Sequence, residues 1–160
     1  MTTPVLITLT YILAIAGLAA MFVPRLPSVI ASCAALVCAH FAGAVYVDAK
    51  ILIYWSVATV IILGLRILQP HPPVNGTARW YISLGAIAGA FTGHAIAPTA
   101  SAIIISSAIA AFLGGAFYMR TPKAPAYPVA SGPFVQFICA LGLPAVVTAS
   151  MSAIAIASVI

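Results

Sequence analysis

Hydrophobic residues run along this chain in six long blocks, separated by short polar or proline-bearing breaks. A helix that crosses a bilayer needs about 20 mostly apolar residues. The first block, residues 5–23, ends at Pro24-Arg25-Leu26-Pro27, and the second, 28–47, closes at Asp48-Ala49-Lys50. The third, 51–69, runs into Gln69-Pro70-His71-Pro72-Pro73, where proline removes backbone donors and blocks continuation of a helix. A polar connection, Asn75 to Arg79, leads to the fourth block at 81–97, and Pro98-Thr99 turns tightly into the fifth at 99–119. A proline-rich loop, 120–133, precedes the sixth block at 134–160, which contains Gly142 and Pro144. The pattern predicts an all-α, polytopic transmembrane bundle of six spans in one domain, residues 1–160. The pair at 81–119 has one alternative, a re-entrant hairpin, because one block is short and its turn minimal. The sixth block, at about 40 Å if straight, predicts a bend or an interfacial end.

Composition sharpens this reading. Hydrophobic residues make up 64% of the 160 and charged residues 4%, against roughly 25% charged in an ordinary soluble domain. Six basic residues and one acid cannot cover the surface of a water-soluble fold this large. The first block has no basic segment before it and no small-residue cleavage site after it, so it is expected to be a retained span.

Charge then gives an orientation. With six spans, Arg25, Arg66, Arg79, Arg120 and Lys123 fall on one side and Lys50, beside Asp48, on the other. Basic residues near span ends mark the cytoplasmic side. The expectation is a multi-pass protein of the cell (inner) membrane with both termini non-cytoplasmic and the lipid bilayer as its first partner. The triplet Asn75-Gly76-Thr77 matches a glycosylation acceptor, but this orientation leaves it unused in the cytoplasm. The basic residues are scattered singly, unlike the clustered stripe of a nucleic-acid binder, so no nucleic-acid partner is expected. Tyr46, Tyr54, Trp55, Trp80, Tyr81 and Tyr118 cluster at span ends, as interfacial anchors do.

Several segments resemble a family of small bacterial membrane proteins known as domain of unknown function 456. Its P-x-L-P turn is matched by Pro24-Arg25-Leu26-Pro27. Its glycine-led entry into a glycine-rich hairpin is matched by Gly76-Thr77-Ala78-Arg79-Trp80, then Gly85, Gly89 and Gly93, then Gly114-Gly115-Ala116. The resemblance covers roughly residues 5–119. The chain departs from the pattern at Ser28, where glycine is usual, and at Phe117-Tyr118-Met119, where an acid often closes the hairpin. The resemblance implies an architecture and no catalytic activity.

The clearest motif is the row Gly85, Gly89 and Gly93 in the fourth block, faced by Ser107, Ala111 and Gly115 in the fifth. Glycines four apart share one helix face and let two backbones approach closely. This predicts a glycine-zipper hairpin. The row either seals that hairpin or offers a face to a second copy or a larger membrane complex. Two intramembrane histidines, His40 and His94, are expected at similar depth. They either relay protons or bind a cation between neighbouring spans, or sit neutral against a backbone carbonyl or a hydroxyl such as Thr92.

Cys33, Cys38 and Cys139 lie within apolar blocks with no paired spacing, and they read as buried thiols. No metal or cofactor is expected. Paired-carboxylate catalysis needs two acids where this chain has one, and no Ser-His-Asp set is expected because Asp48 sits at the far interface from the cytoplasmic loops. An enzyme is therefore not expected. Two readings remain: a structural or interaction protein packing through its glycine face, and a small transporter or channel with His40 and His94 on the path.

Overall fold

The computed structural model describes residues 2–23, 28–44, 47–68, 76–122, 124 and 132–159. They form six α-helices, with no strand among the described residues: α1 (Thr2–Ala20), α2 (Ser28–Phe41), α3 (Ala49–Leu68), α4 (Gly76–Ile96), α5 (Ala100–Met119) and α6 (Gly132–Ala157). Each helix coincides with one apolar block, but the ends differ from the sequence expectation in informative ways. The Pro24–Pro27 turn, Gln69 to Asn75 and residues 125–131 lie outside the described residues, as do Arg25 and Lys123 of the charge count.

Helix α2 stops at Phe41, six residues before the expected 47. Gly43 adopts φ +80°, a left-handed conformation open to glycine at little cost. The Gly43 amide donates to the His40 carbonyl at 3.0 Å and the Ala44 amide to the Ala39 carbonyl at 3.1 Å. Together these bonds form a Schellman cap, which satisfies the last carbonyls and turns the chain away. Helix α4 starts at Gly76, five residues before the expected 81. Thr77, Ala78, Arg79 and Trp80 contain no breaker, and Ala78 is fully buried, so packing favours the extra turn. Between α4 and α5, Pro98 cannot donate and Thr99 caps α5, its hydroxyl accepting from the Ala102 amide at 3.3 Å.

Among the described residues, three helices are long and apolar enough to cross a bilayer: α1 over Thr3–Ala20, α5 over Ala100–Met119 and α6 over Gly132–Ala157. The six-span expectation exceeds this for physical reasons. Helix α2, with 14 residues, is about 21 Å long. The apolar run of α3 is Ala49–Leu65, and α4, 21 residues long, carries Thr77, Arg79, Ser83, Thr92 and His94.

Helix α6 is the centre of the fold: 56% of its span is buried, against 22% for α1 and 28% for α5. It packs on all five other helices. Two hydroxyl pairs join it to α2, Ser28 with Thr148 at 3.2 Å and Ser32 with Ser152 at 2.9 Å. Each step of four along α2 is matched by a step of four along α6, so the two helices run in the same direction. Thr148 lies about 24 Å along α6 from its start, so α2 begins beside the second half of α6. The first half meets α5 instead, through Phe134 with Phe112, Ile138 with Gly115, and Phe137 with Tyr118.

Candidate functional site: polar groups of the helix interfaces

In an apolar bundle the few polar side chains decide what chemistry is available. The largest group lies where α1, α2 and α6 meet. Ser152 is fully buried and donates to the Ala14 carbonyl of α1 at 3.4 Å. A carbonyl only accepts, so with that proton engaged it is Ser32 that donates across to the Ser152 oxygen. Four residues toward the start of each helix, Ser28 and Thr148 make the second rung. Helix α1 reaches this seam because residue 17 is glycine. A Cβ there would collide with the Ser32 hydroxyl and lie 3.1 Å from its amide nitrogen.

Sequence reasoning missed this seam. The available signals were the four-residue spacings Ser28–Ser32 and Thr148–Ser152, which place each pair on one helix face. Two further buried hydroxyls of this half bond back to their own helices. Thr10 donates to the Leu6 carbonyl and Thr59 to that of Trp55, both at 2.8 Å, with the Met151 sulfur 3.9 Å from Thr59.

The second group lies between α4 and α5. Here the structure brings together the residues singled out in the sequence. A Cβ on Gly85 would collide with the Ala110 carbonyl and lie 3.3 Å from the Ala111 Cα. One on Gly89 would collide with the Ser106 carbonyl and lie 2.7 Å from the Ser107 Cα, and one on Gly93 would lie 3.0 Å from the Ile103 Cα. The α5 partners fall in number as the α4 glycines rise, so the helices are antiparallel and in backbone contact. Gly115 meets Ile82 of α4 and Ile138 of α6. Two further partners were not expected. Gly114 faces the Tyr81 carbonyl, and the Ser106 hydroxyl, with one proton to donate, lies within bonding distance of the Gly89 carbonyl across the interface, at 2.7 Å, and of the Ala102 carbonyl of its own helix, at 2.6 Å. Ser107 donates to the Ala86 carbonyl at 2.9 Å, so hydrogen bonds and close packing reinforce one another.

The histidines are placed apart. Helices α2 and α4 each pack on α6 and form no substantial interface with each other. Among the described residues, no hydrogen bond or ring contact joins His40 to His94. His40 Nδ1 lies 2.7 Å from the Val47 carbonyl; a carbonyl has no proton, so Nδ1 carries one and Nε2 is left for any other partner. The bond ties the end of α2 to Val47, two residues before α3 begins. His94 Nδ1 is buried without a hydrogen-bond partner, as is the hydroxyl of Ser150. Thr92 donates to the Ala88 and Gly89 carbonyls, at 2.9 and 3.1 Å. The three cysteines are free thiols, but none is buried as expected: Cys33 and Cys38 are half-buried and Cys139 is exposed on the outer face of α6. No cluster of His, Cys, Asp or Glu with metal-ligand potential occurs among the described residues.

Searches against protein-family models, curated proteins and solved structures find no match to this chain.

Proposed function

We propose that the chain is a multi-pass integral membrane protein of the inner membrane, acting as a structural or interaction protein. The division of polar from apolar groups carries this reading. Ile12, Ile53, Val60, Ile105, Ile109 and Phe117 are each more than half exposed, a surface far more apolar than water tolerates on a monomer. The buried hydroxyls of the α2–α6 seam and of the α4–α5 hairpin are instead used to hold helix to helix.

In its full form the proposal has six crossings, a glycine-zipper hairpin of α4 and α5, and both termini on the non-cytoplasmic side. The common direction of α2 and α6 supports this, since both are even-numbered crossings. With 26 residues, α6 is about 39 Å long, more than a core of about 30 Å requires; because α2 begins beside its second half, the crossing is assigned to that half and the first half to the cytoplasmic interface. The glycine row faces α5 of the same chain, which leaves the outer apolar surface of the hairpin for lipid and for partners. The resemblance to the bacterial family belongs to the same proposal and adds architecture alone. Chemical crosslinking in native membranes, with differently tagged copies, tests the interaction role. A product larger than one chain is expected; a band of single-chain size under every reagent sinks it.

The alternative, a small transporter or channel, is favoured by one observation. Buried polar atoms without partners are rare, and His94 Nδ1 and the Ser150 hydroxyl are two of them. A liposome flux assay of the wild type beside His94→Ala tests it, and absence of flux for every ion and small solute tried removes this reading.

A further inference from the structure

The two halves of the bundle share one element. Helix α1 packs on α2, α2 on α3, and all three on α6, whereas α4 and α5 pack on each other and on α6. No substantial interface joins α4 or α5 to α1, α2 or α3. Outside α6, the described contacts between the halves sit at one corner. There the Phe22 and Trp80 ring centroids are 4.3 Å apart, and Arg79 donates to the Val23 carbonyl at 3.3 Å in an exposed position.

Along α6 the contacts to α5 and those to α1–α3 that named side chains make are separated in sequence. Phe134, Phe137 and Ile138 belong to the α5 side, and Thr148, Met151 and Ser152 to the α1–α3 side. Pro144 falls between them, inside the helix. It has no amide to offer the Ala140 carbonyl, and its ring crowds that turn, so the helix is weakest there. Gly142, two residues earlier, loosens the same turn further.

We propose that α6 is a hinge at Gly142–Pro144, about which the α4–α5 hairpin and the α1–α3 group move as two bodies, with the Phe22–Trp80 corner as the contact that limits the swing. The proposal rests on the membrane reading, since lipid lets two such bodies tilt without exposing apolar surface to water.

The test is a spin-label distance distribution in lipid nanodiscs, on the full chain with Cys33, Cys38 and Cys139 replaced by alanine. Labels at Ile12→Cys on α1 and Ile109→Cys on α5 span the hinge; labels at Ile12→Cys and Ile30→Cys lie within one body. The hinge predicts a broader distribution for the spanning pair than for the internal pair. Pro144→Ala narrows it, and Trp80→Ala, which removes the corner contact, broadens it. A spanning distribution as narrow as the internal one overturns the hinge, as does an unchanged width in Pro144→Ala. If Pro144→Ala does not fold, an unchanged width in Trp80→Ala overturns it instead. A protein that does not enter nanodiscs refutes the membrane reading; one that enters with unaltered widths refutes the hinge alone.

Discussion

At Gly89 a side chain of any size meets the backbone of α5, since the Ser107 Cα and the Ala110 Cβ both lie 2.7 Å from the place a Cβ would take. Those atoms are main chain or attached to it, so they cannot swing aside. Gly89→Leu is therefore expected to lower stability by about 3 kcal/mol or more, beyond ordinary overpacking, read as a fall in thermal midpoint in detergent. Gly64 is the control. Nothing lies within 4 Å of a Cβ there, and Gly64→Ala should be neutral or stabilise by a few tenths to about 1 kcal/mol, since alanine is the better helix former. Equal losses from both substitutions would show that the close approach is unimportant.

The seam offers a paired test at the same scale. A double-mutant cycle on Ser32→Ala and Ser152→Ala should return a coupling of about 0.6 kcal/mol, the average for hydrogen bonds between helices in membranes, and no more than about 1.7 kcal/mol. Ser150→Ala, which removes a buried hydroxyl without a partner, should instead be neutral or stabilising. A large loss at Ser150 would show that its hydroxyl has a partner in the membrane.

At the level of elements, helix ends were legible where a side chain or proline fixes them. Thr99 after Pro98 announces a cap, and the short turn forces α4 and α5 to lie antiparallel, so the facing rows of small residues could be matched from sequence. The end of α2 was not legible. Apolar residues continue past Phe41, and Gly43 stops the helix through a backbone conformation that composition does not display. Gly43→Ala tests this assignment. Open space surrounds that position, so the expected loss of about 1 kcal/mol comes from the left-handed conformation alone. Measured by thermal unfolding, no loss would mean that the cap does not hold the end of α2. The seam was hidden for a different reason. Ser28 and Thr148 lie 120 residues apart, and nothing in either segment says that α2 and α6 are neighbours. The proposed meeting of His40 and His94 had the same weakness, and packing places α6 between their helices.

For the whole molecule, six apolar blocks became six helices arranged on one of them, α6. Its length, its burial and its proline make it at once the scaffold and the weakest point of the bundle. The helical class follows from block lengths and composition, which are local properties. The arrangement depends on contacts between distant segments, which are not. The central claim is that the apolar outer surface faces lipid and that the helices cross it. Single-cysteine labelling in sealed vesicles of known orientation tests this most directly, with Thr99→Cys in the α4–α5 turn and Thr121→Cys just past α5, in a background free of native cysteines. The account predicts that an impermeant thiol reagent reaches Thr99→Cys from the non-cytoplasmic side and Thr121→Cys from the cytoplasmic side. Labelling of both from the same side would contradict it.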